Sequence, residues 1–100
     1  MPLICHITTA SQWEAAQTSG EYVCSSLKDE GFIHCSEKNQ VSEIINRYYK
    51  NLEDVIVLNI DSDKLKSQLV FEWSPSVQAT FPHVYGPINL DSIVEAIPLN

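Results

Sequence analysis

Most of the chain is divided into short apolar runs separated by polar turns, and this pattern predicts strands. The predicted strands cover residues 3–8, 32–36, 54–61 and 68–74, with a brief extended segment at 21–27 and one or two strands after residue 83. Residues 54–61 contain a continuous apolar run, which is typical of a central strand that is buried on both faces. The stretch from Pro75 to Pro82 lacks such a pattern, so we expect irregular structure there.

Two of these strands alternate, and the alternation assigns their side chains to faces. In residues 32–36, Phe32, His34 and Ser36 share one face. Aromatic side chains such as Phe32 can belong to the core or form the wall of a pocket for a flat ring.

Glu72 lies in the second alternating strand, between Phe71 and Trp73, and it shares its face with Val70. We expect the apolar surroundings to raise the pKa of Glu72. The alternative is a carboxylate that faces solvent on an edge strand.

Two helices are predicted. Thr9 and Gln12 have capping-box spacing and open a short, weakly amphipathic helix that stops at Gly20. Ser36 is the expected N-cap of a second helix over residues 37–51, where apolar residues recur at helical spacing. Two helices among short strands predict the α+β class, with small mixed or antiparallel sheets.

Length and charge narrow the choice of partners. One hundred residues fit a single domain, residues 1–100, with one core. The formal net charge is −7, from 13 acidic and 6 basic residues. Such a chain gains little from counterion release, so we expect no general nucleic-acid binding. No apolar run approaches the roughly 18 residues needed to span a bilayer, so we expect no membrane partner.

The cysteines and the N-terminus indicate a compartment. Cys5, Cys24 and Cys35 make an odd count without a CxxC motif. Free thiols in a reducing compartment fit this count better than a disulfide framework does. The N-terminus lacks a basic region followed by a long apolar segment. We therefore expect a cytoplasmic protein.

The chain has three histidines, and each lies in or beside a predicted strand. A neutral imidazole can act as a base, an acid, a metal ligand or a hydrogen-bond donor. For any single histidine, burial with a hydrogen bond to a backbone carbonyl is the simpler interpretation. Taken together, His6, His34 and His83 suggest a shared cluster, because none of them falls in a charged surface tract.

His83 lies within the segment Thr80–Pro87, TFPHVYGP, which contains two prolines. Proline fixes its own φ angle, and Gly86 permits a turn that other residues resist. A stiff backbone would hold His83 and Tyr85 in fixed positions, as a binding site requires. A stiff turn that closes a small core would show the same pattern.

A zinc site is another use for three histidines, because imidazoles on separate strands can converge on one ion. The sequence contains no HExxH motif and no cysteine–histidine pairing at ligand spacing. Within a strand, the neighbours Cys5-His6 and His34-Cys35 point to opposite faces. We therefore assign no metal ligands.

Several segments together resemble the bacterial domain of unknown function 952 (DUF952). They are CHIT followed by a helix with a tryptophan, then EGFIHCS, NRYY, VLNID, FEW and FPHVYGPI. The resemblance extends from about Ile4 to Ile97, and GFIHCS and FPHVYGP are its specific blocks. More distantly, the family is similar to the ADP-ribosyltransferase fold, in which two small sheets enclose an NAD cleft.

This likeness implies an ADP-ribosyltransferase-like split β-sheet core with a site built by three strands. In strand order, the site positions would be filled by His6, then His34 and Ser36, then His83 and Tyr85. Glu72 or His83 would replace the catalytic glutamate that the final strand often supplies. The chain departs from the pattern of that fold at Ile7, where a glycine usually follows the histidine.

Two hypotheses about function follow. In the first, the chain is an ADP-ribosyltransferase-like enzyme, or a relic of one, that binds NAD or a related nucleotide in a three-histidine cleft. NAD would then be a substrate, and no resident cofactor is assigned. The second hypothesis is a non-catalytic module that binds a small ligand or another protein, which the acidic composition favours.

Under the first hypothesis, each residue has a role. His83 would be a general acid or base, and Glu72 would stabilise positive charge that develops on an oxocarbenium-like carbon. His34 completes the catalytic set. The ligand contacts would come from His6, Phe32, Ser36 and Tyr85.

Overall fold

The computed structural model describes residues 2–99, which form an α+β fold with antiparallel sheets. The strands are β1 (Leu3–Thr9), β2 (Glu21–Tyr22), β3 (Ile33–His34), β4 (Val55–Asp61), β5 (Gln68–Ser74), β6 (Ala79–Tyr85), β7 (Ile88–Asn89) and β8 (Ile93–Pro98). The helices are α1 (Ala10–Ser19), α2 (Ser25–Glu30) and α3 (Val41–Tyr48), with 3₁₀ turns at Lys38–Gln40, Ser62–Lys64 and Leu90–Ser92. The α+β prediction is confirmed.

The described strands form three small sheets, ordered β1-β4-β8, β3-β6-β5 and β2-β7. β4 is the middle strand of the first sheet and is buried along its whole length. Leu58 and Ile60 face the main core, whereas Val55 and Val57 pack under α3. This confirms the central strand that its continuous apolar run predicts.

β6 is the middle strand of the second sheet although it contains Pro82. The N–H of Cys35 donates to the carbonyl of Pro82 at 3.0 Å. Because proline has no N–H to return a bond, the ladder between β3 and β6 ends there. The chain then turns to β1, where Ser36 and Cys5 exchange two backbone hydrogen bonds of 2.7 Å. This bridge joins the two larger sheets.

Strand β6 also corrects a prediction. Irregular structure was expected from Pro75 to Pro82, but the strand begins at Ala79. The position of the missing N–H of Pro82 faces β3, at the point where the ladder between β3 and β6 ends. The ladder between β6 and β5 is therefore not interrupted, and Phe71 of β5 is the partner of Pro82. A proline inside a paired strand is rare, and the local pattern therefore predicted a loop.

The helices of the structure agree only in part with the two helices predicted from the sequence. Thr9 caps α1 and Gly20 ends it in the left-handed conformation, as predicted. The short helix α2 was not predicted, because its six residues are too few to show a periodic pattern. Among the described residues, no helix has both the length and the apolar character that crossing a bilayer would need.

The prediction that Ser36 is the N-cap of the second helix was wrong. The backbone of Ser36 pairs with Cys5, and the capping box is formed by Glu37 and Gln40 instead. The N–H of Glu37 donates to Oε1 of Gln40 at 2.8 Å. The segment then begins as a 3₁₀ turn and continues as α3, which ends at Tyr48 rather than at residue 51.

Candidate functional site

A cleft with a volume of about 750 Å³ opens where the two larger sheets meet. The three histidines all line it, with His6 from β1, His34 from β3 and His83 from β6. Such a volume is within the usual range for small-molecule sites. Histidines that are far apart in sequence are therefore neighbours in the fold, as the cluster hypothesis expected.

The pairing of β3 with β6 brings two of the histidines together. His34 and His83 are direct partners in the register, so their side chains lie on the same face of the sheet. Their ring centroids are 5.2 Å apart in an edge-to-face arrangement. Phe32 stacks on His83, with 4.2 Å between ring centroids and 20° between the planes.

Glu72 lies on β5, diagonally across from His83 on the neighbouring strand. Its Oε1 accepts hydrogen bonds from Nδ1–H of His83 at 2.8 Å and from the hydroxyl of Tyr85 at 2.5 Å. These donors stabilise the ionised form, so the pKa of Glu72 is lowered, chiefly by Tyr85 and then by His83. The predicted upward shift of this pKa is wrong.

The bond to Glu72 fixes the proton arrangement of His83. An ionised carboxylate can only accept, so Nδ1 of His83 donates, and in the neutral form of the ring the lone pair is on Nε2. In residues 2–99, Nε2 of His83 has no hydrogen-bond partner, and the residue lines the cleft. This nitrogen can accept a proton or a hydrogen bond from a ligand.

His34 contributes through both its ring and its backbone. Nε2 of its half-exposed ring lies 2.9 Å from Oε2 of Glu30 at the end of α2. Its backbone carbonyl accepts a hydrogen bond from Nδ1–H of His6 at 2.6 Å. Glu30, which is not among the residues that line the cleft, thus orients the imidazole of His34.

His6 is buried, and both of its ring nitrogens are engaged within the protein. Nδ1 binds the carbonyl of His34, and Nε2 lies 2.7 Å from the hydroxyl of Tyr22. Burial lowers the pKa of His6, and the hydrogen bond to the carbonyl of His34 raises it by a smaller amount. The resulting pKa is about 4. His6 is therefore neutral at pH 7, and its ring has no free nitrogen for the ligand contact that the sequence predicted.

The other predicted ligand contacts divide into two groups. Phe32 and Ser36 line the cleft. Tyr85, in contrast, is not among the lining residues, and neither is Glu72, which was predicted as a catalytic residue; the two side chains are hydrogen-bonded to each other.

Sequence reasoning missed several lining residues. Tyr22 lines the cleft from β2, and Ser25 and Ser26 line it from α2. No local signal marks them, because β2 has only two residues and α2 only six. Within residues 2–99, no group of three or more histidine, cysteine or acidic residues has the geometry to hold a metal ion, so the zinc alternative gains no support there.

Comparisons with known proteins give a family and a fold. The crystal structure of protein CC0527 from Caulobacter crescentus has a TM-score of 0.86 to this chain at 28% identity, covering 98% of this chain and 86% of that one. The solution NMR structure of CC0527 has a TM-score of 0.83 at 28% identity, covering 100% and 86%. The comparison with curated proteins finds no match. The sequence model described as "Protein of unknown function (DUF952)" matches residues 7–96, which is most of the chain, and the protein therefore belongs to the DUF952 family.

Proposed function

We propose that the cleft binds NAD or a related nucleotide and that His83 is its general acid or base. The chain would then be an ADP-ribosyltransferase-like enzyme or a relic of one. The observation that carries this proposal is the pair of Glu72 and His83, whose free Nε2 borders a cleft of small-molecule size. A carboxylate that orients an imidazole toward a ligand is an arrangement that acid–base catalysis uses.

The walls of the cleft suit the flat ring of a nucleotide. Phe32 and Phe81 line its interior, and Tyr48 lines it while remaining 59% exposed. Large aromatic side chains that are left open to solvent often mark binding sites. A base or nicotinamide ring could stack on them, because every such ring has a π face.

The contacts favour revised roles for two residues. Since Oε1 of Glu72 is held by two donors behind His83, Glu72 would stabilise the imidazolium rather than a carbon of the substrate. His6 would position β3 through the carbonyl of His34. Ser36 and His34 would remain as contacts for ribose hydroxyls.

A second candidate is a module that binds a small ligand without turnover. The exposed rings of Tyr48 and Trp73 favour it, because they suit binding and supply no reactive group. Either function fits our proposal of a cytoplasmic location, which is supported by the absence of a disulfide among Cys5, Cys24 and Cys35.

Calorimetric titration with NAD, ADP-ribose and nicotinamide tests the proposal. We expect the wild type to bind at least one of them at millimolar concentration or below, and His83→Ala to bind it about tenfold more weakly, which is about 1.4 kcal/mol. Glu72→Gln, which keeps the side-chain shape, should also weaken binding. Ser42→Ala on α3 serves as the control and should bind like the wild type.

Two readouts complete this test. Thermal unfolding of each variant separates lost binding from lost folding. Release of nicotinamide from NAD by the wild type, but not by His83→Ala, would favour the enzyme over the non-catalytic module. The absence of binding of all three compounds to the wild type at millimolar concentration would contradict the proposal.

A further inference from the structure

The cleft differs from the rest of the molecule in charge. Charged residues make up 19% of the chain, yet the described lining contains no aspartate, glutamate, lysine or arginine. Its polar groups include the three histidines, Gln12 and five serines: Ser25, Ser26, Ser36, Ser74 and Ser76. Hydroxyls and imidazoles bind sugar hydroxyls and amide groups, and the described lining contains no lysine or arginine to hold an anion.

The charges nearest to the histidines of the cleft are negative. Glu30 lies 2.9 Å from the ring of His34, and Glu72 lies 2.8 Å from the ring of His83. The third histidine, His6, is buried and neutral at pH 7. An anionic ligand would therefore meet two carboxylates behind the imidazoles, in a protein of net charge −7, with no lysine or arginine in the wall.

We infer that the cleft selects the uncharged part of a nucleotide, namely a flat base with its ribose hydroxyls, and that its preferred ligand is a nucleoside without phosphate. This inference rests on the proposed function and narrows it. The base stacks on the aromatic walls, and the hydroxyls meet Ser36 and Nε2 of His83. Any phosphate of a larger nucleotide stays in solvent and adds no affinity.

Matched ligand pairs test the inference. Adenosine is compared with AMP and ADP, and inosine with its 5′-monophosphate, by calorimetry at about 20 mM and about 300 mM salt, because both nucleosides are uncharged at pH 7. We expect each nucleoside to bind at least as tightly as its phosphates, with each phosphate costing about threefold in affinity at low salt. The difference should shrink at high salt, because screening weakens the repulsion.

A charge introduced into the wall provides the complementary test. Ser76 is exposed and lines the cleft, so Ser76→Lys adds a cation there. We expect the ratio of the affinity for AMP to the affinity for adenosine to be about tenfold higher in Ser76→Lys than in the wild type. The control Ser42→Lys adds the same charge on α3 outside the cleft lining, and it should change the affinity for AMP by less than about twofold.

The outcomes separate this inference from the proposed function. If phosphates bind to the wild type tenfold or more tightly than their nucleosides, the inference is overturned while the nucleotide site stands. A gain for AMP that is no larger in Ser76→Lys than in Ser42→Lys also overturns it. If none of the five compounds binds at millimolar concentration, both proposals fall.

Discussion

At the scale of single residues, His6 couples the site to the stability of the fold. Its pKa in the folded protein is about 4, compared with an ordinary value of 6.5, because the ring is buried. Between these two pH values the unfolded chain binds a proton at this residue and the folded chain does not. The free energy of unfolding therefore falls as the pH drops from 6.5 towards 4.

We predict that this coupling removes up to about 3 kcal/mol of stability from the wild type over that range. His6→Asn cannot titrate, and its amide can still donate to the carbonyl of His34, so its stability should depend less on pH. Urea unfolding of both proteins at pH 7 and pH 4.5 measures the difference. Other acidic groups contribute equally to both proteins, so identical pH dependence would contradict the burial of a neutral His6.

Glu72 shows why the chemistry of a residue was difficult to predict from its neighbours in sequence. Phe71 and Trp73 flank it along the chain, but they point to the opposite face of β5. The donors that set its pKa, Tyr85 and His83, come from the neighbouring strand. The alternation predicted the face correctly, whereas the partners on that face depend on the register of two strands.

At the scale of elements, the turn after β6 depends on Gly86. Its φ angle is 154°, in a region that favours glycine. A Cβ at this position would lie 2.5 Å from Oγ and 3.0 Å from Cβ of Ser67. Oγ of Ser67 donates to the carbonyl of Pro87 at 2.7 Å, so it cannot move away without losing that bond.

We predict that Gly86→Ala lowers the free energy of unfolding by about 2–3 kcal/mol, because strain and a steric clash add together. The control is Gly20→Ala, where φ is 96° but no atom lies within 4 Å of the added Cβ. That change should cost only about 1 kcal/mol. Urea unfolding compares the two variants, and an equal or smaller cost at position 86 would show that the turn is not tightly packed.

The elements also show which local patterns are sufficient for prediction. β4 was predicted from its apolar run at residues 55–58, and β5 was predicted because Leu69, Phe71 and Trp73 alternate with residues of the other face. α2 was missed because it is short, and the start of β6 was missed because Pro82 is tolerated only where the β3 ladder ends. The exception at β6 depends on tertiary pairing, which no local pattern contains.

At the scale of the whole molecule, the site is a product of long-range pairing. β3 brings His34 beside His83, and the bridge between Cys5 and Ser36 brings β1, with His6, against β3. The sequence indicated that the histidines belong together, since each falls in a strand or beside one. Their distances, and a cleft lining without aspartate, glutamate, lysine or arginine among the described residues of an acidic protein, follow from the packing of sheets and could not be predicted from composition.

The central claim is that His34 and His83 bind one ligand in a shared cleft. Imidazole ¹⁵N NMR spectra during titration with adenosine and with nicotinamide riboside test it most directly. We predict that the signals of His34 and His83 shift along one common saturation curve, and that His6 keeps its positions because both of its nitrogens are bonded internally. Unchanged His83 signals at millimolar ligand, or a larger shift at His6 than at His83, would contradict the account.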